Sequence, residues 1–149
     1  MTLKQPIVLD ASITAKWIFE DEKTVESEEL LEAVLREDII LIQPAIWAYE
    51  VLNLIKTGQA RDRITQQKAQ ESVGWLQTLS FEIVGLEKTD YAELLTLAMD
   101  HQLTAYDAAY FLTAQRRGIN LVTEDGALLA LKRQHSWIHS LRDFRRRRK

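Results

Sequence analysis

The chain has 149 residues, of which 46% are hydrophobic and 28% charged, with a formal net charge of −3 at pH 7 and no cysteine. These values are typical of one globular domain, and they exclude a disordered chain, a disulfide scaffold and a thiolate metal site. The sequence contains neither a secretory signal pattern nor an apolar run long enough to span a bilayer, so we expect a cytoplasmic protein with no membrane partner.

Predicted strands and helices alternate along the chain. We expect strands over 7–9, 39–42, 81–84 and 119–122, with a small fifth strand at 137–138. We expect helices over 12–19, 25–36, 44–57, 64–79, 89–101, 104–117 and 127–132. In this interpretation Thr24 caps the second helix, Pro44 opens the third, Gly58 stops it, and Gly118 ends the sixth. The pattern predicts one α/β domain over 1–149, a three-layer sandwich around a short, mostly parallel sheet of four to five strands.

Four carboxylates lie inside the most apolar stretches of the sequence. They are Asp10 in 6–15, Glu50 in 44–55, Asp107 in 103–112 and Asp125 at the end of 119–125. Removing an ionised carboxylate from water is costly unless the group is paired, hydrogen-bonded or bound to a cation, and these stretches contain no Lys or Arg. The pattern therefore favours acids that converge on a positive ligand, with a divalent metal as the leading candidate.

The predicted topology gives these acids a common location. Asp10 and Asp125 each follow the end of a strand, Glu50 lies about two turns into a helix, and Asp107 lies in the first turn of another. In open parallel sheets, ligand sites form beyond the carboxyl ends of the strands. Mg²⁺ and Mn²⁺ prefer oxygen ligands and keep several waters, so such a cluster would leave room for a phosphate. An ion held there would lower the pKa of a bound water, so metal-activated water is the expected nucleophile.

Helix capping is the simpler explanation for some of these residues. Thr104-x-x-Asp107 has the spacing of a capping box, and both Asp125 and Ser12 suit helix N-caps. Glu50 has neither explanation, because it is a lone acid in the middle of an apolar helix. The four acids together favour a functional site over independent structural roles.

The order and spacing of these residues resemble the motifs of the PIN-domain family. The four motifs are Asp10-Ala-Ser12 after a hydrophobic strand, Pro44 with Glu50 and Asn53, Leu103-Thr-Ala-Tyr-Asp-Ala-Ala-Tyr110, and Val122-Thr-Glu-Asp125. The resemblance extends over roughly residues 7 to 140, and the third motif is its most specific part. The size of the chain and the absence of a second domain are similar to those of VapC-type toxins of toxin–antitoxin pairs.

The resemblance implies a Mg²⁺- or Mn²⁺-dependent endoribonuclease. It assigns catalytic, metal-binding roles to the four acids and supporting polar roles to Ser12 and Thr123. It also implies RNA as substrate and a small antitoxin protein as partner. Two alternatives stay open: a stand-alone RNA-processing nuclease of this family, and a non-catalytic domain of the family that binds RNA or protein.

Two other enzyme classes place an aspartate after the first strand. A haloacid-dehalogenase-type phosphatase needs a second Asp two residues later, where this chain has Ser12. A receiver domain needs adjacent acids after the first strand, whereas Asp10 stands alone. The sequence therefore favours neither class.

The chain ends in a basic run of five residues: Arg145, Arg146, Arg147, Arg148 and Lys149. Clustered arginines favour bidentate contacts with phosphate, so we expect a nucleic-acid contact here, with a disordered solubilising tail as the alternative. Without this run the chain carries a net charge of −8, which excludes a generally basic nucleic-acid-binding protein.

The helices after the first two strands carry more apolar side chains than one sheet face needs. These are Trp17, Ile18, Phe19, Leu30 and Leu31. Because exposed apolar patches mark association and closed symmetric dimers are the commonest assemblies, the pattern predicts a homodimer.

Overall fold

The computed structural model describes residues 3–149 and places a five-stranded parallel sheet at the centre of this range, in the order β3-β2-β1-β4-β5. The strands are β1 (Gln5–Leu9), β2 (Ile39–Pro44), β3 (Phe81–Val84), β4 (Asn120–Val122) and β5 (Ile138–His139). The helices of the described range are α1 (Ala11–Ile18), α2 (Val25–Leu35), α3 (Ile46–Ala60), α4 (Gln66–Leu76), α5 (Tyr91–Asp100), α6 (Ala105–Arg117), α7 (Gly126–Leu129) and α8 (Leu141–Arg148).

Strand β1 lies in the middle of the sheet, and both of its faces are covered. Ile7, Val8 and Leu9 are each 0% exposed, although successive side chains of a strand point to opposite faces. Helix α6 packs across β1, β2 and β4, and α2 packs against β2. A continuous apolar run is typical of a parallel strand buried between helical layers, so the predicted α/β sandwich is confirmed.

The order of the strands creates a crevice beside β1. From β1 the chain moves outward to β2 and β3, and it later returns to the opposite side of β1 with β4 and β5. Ligands of open parallel sheets bind where the strand order reverses in this way, outside the carboxyl ends of the strands. Asp10 directly follows β1 and Thr123 directly follows β4, so both lie at this crevice.

Two predicted helix boundaries are confirmed by their hydrogen bonds and backbone conformation. Thr24 Oγ1 accepts from the Ser27 backbone N–H at 3.2 Å, and Ser27 Oγ accepts from the Thr24 N–H at 3.0 Å. Gly118 ends α6 with φ of 62°, a left-handed conformation that glycine adopts without a steric penalty.

The predicted limits of the third helix were wrong at both ends. Pro44 is the last residue of β2, and the contact with β3 continues through Ala45, whose N–H donates to the Val84 carbonyl at 3.1 Å. Gly58 lies inside α3, which runs to Ala60. A Cβ at Gly58 would lie only 2.6 Å from Cζ of Phe19, so this glycine permits close packing and does not end the helix.

The alternative of a disordered tail was wrong, because residues 141–148 form α8. Leu141 and Phe144 are 3% and 2% exposed, so they anchor the helix on the domain. The Arg145 guanidinium donates to both carboxylate oxygens of Glu29, each at 2.7 Å. Ser140 caps the helix by accepting from the Asp143 N–H at 3.1 Å.

The apolar residues that motivated a dimer lie inside the protomer. Trp17, Ile18, Phe19 and Leu30 are buried in the core, and Leu31 is half-buried against it. Trp17 of α1 donates to the Ser27 carbonyl of α2 at 2.9 Å, and its ring meets that of Trp75 in α4 edge to face at 6.2 Å between centroids. These contacts join residues that are distant in sequence, so the local apolar pattern did not predict them. Large exposed apolar side chains lie elsewhere, at Leu86, Tyr91, Leu95, Met99 and Tyr106.

Within residues 3–149, none of the helices is both long enough and apolar enough to cross a membrane.

Candidate active site

Asp10 is the most buried of the four predicted acids, with 5% of its surface exposed. Its backbone N–H donates to the Val122 carbonyl at 3.0 Å, which continues the pairing of β1 with β4 past the end of β1. Its carboxylate atom Oδ2 accepts from Ser12 Oγ at 2.7 Å and from Thr123 Oγ1 at 2.8 Å. Burial raises the pKa of Asp10 against the lowering effect of these two hydroxyls, and the charge of Asp125 raises it further.

The two hydroxyls also hold the loop between β4 and α7. Ser12 Oγ accepts from the Glu124 N–H at 3.2 Å, and Thr123 Oγ1 accepts from the Asp125 N–H at 2.9 Å. Each hydroxyl therefore accepts from a loop amide and donates to Asp10, so the loop that carries Asp125 is tied to the end of β1. This arrangement places Ser12 and Thr123 where a supporting role was predicted.

Glu50 reaches the same edge of the sheet from α3. Its Oε1 atom is buried and has no hydrogen-bond partner among the described residues, and the same is true of the Tyr110 hydroxyl. The two groups are close enough for Tyr110 to lower the pKa of Glu50, but they do not meet in hydrogen-bonding geometry. Burial is the larger influence and raises the pKa of Glu50, and the charges of the other three acids add to this effect.

Asp107 lies in the first turn of α6, and its backbone and side chain have different roles. Its N–H donates to Thr104 Oγ1 at 3.1 Å, so Thr104 is the N-cap. The reciprocal bond of a capping box, from the Thr104 N–H to the Asp107 carboxylate, is not formed in the described part of the chain. Burial raises the pKa of Asp107, and the charge of Asp125 raises it more than that of Asp10 does. Capping therefore leaves the carboxylate of Asp107 unexplained.

Asp125 is the N-cap of α7, as the simpler interpretation predicts. Its Oδ1 atom accepts from the N–H groups of Ala127 and Leu128, each at 3.0 Å. These bonds use one carboxylate oxygen, so Oδ2 is left for another ligand. Glu124 has a different role, because its Oε1 atom accepts from the Leu141 N–H at 3.0 Å at the start of α8.

Negative charge is concentrated at this edge, and no Lys or Arg of residues 3–149 forms an ion pair with the four acids. The charges of neighbouring acids raise the pKa of Asp10, Glu50 and Asp107, and no Lys or Arg is among the groups that lower it. The four acids come from four separate segments of the chain, and the fold brings them within electrostatic range of one another. Like charges held together in a partly buried site favour the binding of a cation.

The chemistry of this site fits a hard divalent ion. All four groups supply carboxylate oxygens, and the buried Glu50 Oε1 has no hydrogen-bond partner in the part of the chain that the structure describes. No three Asp, Glu, His or Cys side chains of residues 3–149 are arranged to share one ion. Mg²⁺ commonly takes only one or two protein carboxylates and completes its shell with water and substrate phosphates, so a looser set of acids suits it.

Sequence reasoning missed two residues at this site. Gln43 is 0% exposed, and its amide accepts from the Leu9 N–H at 2.9 Å and donates to the Leu9 carbonyl at 2.8 Å. It therefore fixes the end of β1 directly before Asp10. Its position after the apolar run 39–42 is the available signal for this role. Tyr110 lies one helical turn after Asp107 and is also 0% exposed; burial and the charge of Glu50 hold its pKa well above the usual range.

The basic tail is not part of the acid cluster. Arg145 binds Glu29 and Glu26 on α2, so its guanidinium is occupied by carboxylates. Arg146, Arg147, Arg148 and Lys149 are exposed along α8 and after it, and none of them forms an ion pair within residues 3–149. Nucleic-acid contact by these residues stays a prediction.

Comparison with known proteins gives one family and several similar structures. The PIN domain model matches residues 7–134, and no curated protein sequence matches significantly. The crystal structure of PAE2754 from Pyrobaculum aerophilum has a TM-score of 0.69 and 23% identity, covering 94% of this chain and 86% of that chain. VapBC2 from Rickettsia felis, solved with a DNA fragment from its promoter, has a TM-score of 0.62 and 14% identity, covering 91% of this chain and 98% of that chain. A toxin–antitoxin complex from Klebsiella pneumoniae has a TM-score of 0.53 and 20% identity, covering 80% of this chain and 86% of that chain. These similarities show a shared fold.

Proposed function

Because this chain belongs to the PIN domain family, whose model matches residues 7–134, we propose that it is a metal-dependent endoribonuclease that hydrolyses phosphodiester bonds. The observation that carries this proposal is the convergence of Asp10, Glu50, Asp107 and Asp125 at one edge of the sheet. The charges of neighbouring acids raise the pKa of Asp10, Glu50 and Asp107, and one buried oxygen of Glu50 has no hydrogen-bond partner within residues 3–149. An architecture that keeps repelling acids together is better explained by a ligand than by stability.

The proposed cofactor is Mg²⁺ or Mn²⁺, bound among Asp10, Glu50, Asp107 and Asp125 with one or two of these carboxylates as direct ligands and with water and substrate phosphate completing its shell. When bound, such an ion would activate water for attack at phosphorus and offset the charge that develops on the phosphate oxygens. The residues of the chain supply the rest. Ser12 and Thr123 hold Asp10 in one orientation through Oδ2, and Gln43 fixes the backbone before it. A site held in place in this way needs little rearrangement when RNA arrives.

Cleavage of RNA with and without divalent ions tests this proposal. We expect Mg²⁺- or Mn²⁺-dependent cleavage that leaves a 5′-phosphate and a 3′-hydroxyl, because water and not the ribose 2′-hydroxyl is the nucleophile. Products with a 2′,3′-cyclic phosphate, or full activity in EDTA, would contradict it. Binding of RNA without cleavage under any metal condition would favour the non-catalytic alternative.

We further propose that the chain is the toxin of a toxin–antitoxin pair, with a small antitoxin protein as partner. The similarity of fold to the Klebsiella pneumoniae toxin–antitoxin complex and to VapBC2 supports this role. The test is whether a small open reading frame beside this one encodes a protein that copurifies with the chain and blocks its cleavage of RNA. Unrestrained cleavage in the presence of that neighbour, or the lack of such a neighbour, would favour a stand-alone RNA-processing nuclease in the cytoplasm.

A homodimer also belongs to this proposal, although the apolar residues that first suggested it are buried. The exposed side chains Tyr91, Leu95 and Met99 recur every fourth residue along α5, so they form a stripe on one face of that helix. Leu86 and Tyr106 add exposed apolar surface on the chain segments that precede α5 and follow it. We propose this α5 stripe as the contact between two copies, since a two-fold axis pairs a surface with itself.

A further inference from the structure

Helix α8 separates its basic side chains between two surfaces. On one side Arg145 binds Glu29 and Glu26 of α2, and Arg148 and Lys149 line the same contact with α2. On the other side Arg146 and Arg147 line a groove with Lys132, Arg133, Ser136 and His139. The ion pairs of Arg145, together with buried Leu141 and Phe144, fix the rotation of the helix. Arg146 and Arg147 are therefore held at the groove and are not free to turn towards α2.

The groove is strongly positive although the whole chain is acidic. Its one carboxylate, Asp143, is 3.4 Å from Lys132 and also belongs to the N-terminal turn capped by Ser140. Arg133, Arg146 and Arg147 form no ion pair with any of residues 3–149. Burial lowers the pKa of His139 in the groove, and the charge of Arg147 lowers it further. In a chain with net charge −3, three guanidinium groups without an ion pair in residues 3–149 therefore share one small surface.

The groove adjoins the acid site through two connections. Helix α7 runs from its N-cap Asp125 to Leu129, and hydrogen-bonded turns continue from it to Lys132, so Asp125 and Lys132 lie on one short segment of the chain. The first residue of α8, Leu141, is bound through its N–H to Glu124, the neighbour of Asp125. Beside it, the Thr123 N–H donates to the His139 carbonyl at 3.0 Å. A ligand that extends past Asp125 along α7 would therefore reach the cations of the groove.

We propose that the groove formed by Lys132, Arg133, Arg146 and Arg147 binds backbone phosphates of the RNA strand that occupies the acid site. This inference rests on the proposed nuclease function and adds to it a second contact surface beyond the reacting phosphate. Exposed guanidinium groups suit this ligand because they bind phosphate oxygens through paired hydrogen bonds. Contacts of this kind fix the register of the strand without reading its sequence.

Binding of a short fluorescein-labelled single-stranded RNA, followed by fluorescence anisotropy in EDTA, tests the groove without any cleavage. The test variant is Arg146→Gln/Arg147→Gln. The matched control is Arg142→Gln/Arg148→Gln, which removes the same charge from α8 at residues that lie near the acids of α2. A titration from about 50 to 200 mM salt gives the slope of log affinity against log salt, which changes by about 0.7 for each phosphate contact on a single strand.

We expect the test variant to weaken binding and to lower the salt slope by about 1.4, with a much smaller change in the control. Arg133 lies outside α8, and Arg133→Gln should lower the salt slope by about 0.7. This single variant tests the groove even if the double variant does not fold. Equal losses of RNA affinity in the test and control variants would contradict phosphate binding at the groove and indicate only a general effect of charge. A different outcome is a parent that shows no metal-dependent cleavage while the test variant still binds RNA more weakly. That result would contradict the nuclease function and support the groove as an RNA-binding surface.

Discussion

Thr123 Oγ1 donates a 2.8 Å hydrogen bond to Asp10 Oδ2, although 113 residues separate the two side chains in the sequence. The same hydroxyl accepts from the Asp125 N–H at 2.9 Å. One buried atom therefore orients the acid that follows β1 and the backbone of the acid that follows β4. The relationship depends on the adjacency of β1 and β4, which only the topology of the sheet provides.

Thr123→Val tests this link, because it replaces the hydroxyl with a methyl group of similar size. The Asp125 N–H loses its acceptor and Asp10 loses a donor, so we expect a loss of about 1 to 3 kcal/mol in the free energy of unfolding. We also expect a clear loss of cleavage rate, measured under saturating metal. Thr113→Val is the control, since that buried hydroxyl donates only to the Ala109 carbonyl of its own helix. Equal effects on cleavage in the two variants would contradict a positioning role for Thr123.

Gly58→Ala tests the correction of the third helix. Gly58 does not have the positive φ of a helix-ending glycine such as Gly118, so backbone strain does not set the cost of alanine here. Because Gly58 packs against Phe19, we expect the added methyl to lower the free energy of unfolding by about 1 to 3 kcal/mol. The control is Gly74→Ala in α4, where no atom lies within 4 Å of a new Cβ and alanine should stabilise by about 0.5 to 1 kcal/mol. Chemical denaturation measures the free energy of unfolding of both variants, which we expect to fall in Gly58→Ala and to rise in Gly74→Ala.

The sequence predicted those parts of the fold that depend on local pattern. The apolar runs around Val8 and Leu41 predicted buried parallel strands, and Thr24 and Gly118 marked helix ends through side-chain and backbone preferences that act over a few residues. The acids were found for a related reason: a lone charge in an apolar run is a local anomaly, and Glu50 had no local explanation.

Features that depend on tertiary contacts could not be predicted in the same way. Gly58 was taken for a helix end because its partner, Phe19, is distant in sequence. Helix α8 carries a run of like charges that repel one another, but Leu141 and Phe144 are buried in the core and Arg145 binds the acids of α2. The predicted capping role of Asp125 is confirmed, and only the assembled site shows that its carboxylate also raises the pKa of Asp10 and Asp107.

Leu95→Glu tests the proposed dimer contact on α5. The substitution places a charge at the centre of the stripe, which under two-fold symmetry would bring two like charges close together. We expect the parent to be a dimer and Leu95→Glu a monomer in light scattering at the same concentration. Leu35→Glu is the control, because Leu35 is similarly exposed but lies on α2. A parent that is monomeric at every concentration, or dissociation of the dimer in both variants, would contradict the proposed α5 contact.

The pH dependence of stability in EDTA follows from the raised carboxyl pKa values. Burial first, and neighbouring acids second, raise the pKa of Asp107 in the folded protein above its ordinary value of 3.8. Between the unfolded and the folded pKa the folded state binds more protons, so the free energy of unfolding falls as the pH rises through that window. The stability of Asp107→Asn relative to the parent should therefore be near its minimum below pH 3.8 and should grow as the pH rises above it.

Thermal melts at matched pH values measure this difference between the two proteins. Asp100→Asn, at the exposed end of α5, is the control that removes the same charge outside the acid cluster. A constant difference between Asp107→Asn and the parent across the acidic range would mean that the Asp107 carboxyl titrates alike in the folded and unfolded states. In that case burial and repulsion at this site would be too weak to favour a cation.

Asp107→Asn also separates a metal-binding role from a helix-capping role. The amide keeps the shape of the side chain, and the N-cap itself is Thr104, so the start of α6 should persist. We expect metal-dependent cleavage to be abolished while the metal-free protein is as stable as the parent or more stable, since one repelling charge is gone. Added Mg²⁺ at about 100 times its dissociation constant should stabilise the parent by about 2.7 kcal/mol and the variant by less.

Glu124→Gln is the matched control for that experiment. It removes one negative charge beside Asp125, but its amide oxygen can still accept from the Leu141 N–H. We expect this variant to keep its cleavage activity and its stabilisation by Mg²⁺, because Glu124 points to α8 and not to the acid cluster. A well-folded Asp107→Asn protein with undiminished cleavage would refute the assignment of Asp107 to the site. Equal loss of Mg²⁺ stabilisation in Asp107→Asn and Glu124→Gln would mean that the ion is attracted by the total negative charge of this edge and that Asp107 is not a specific ligand.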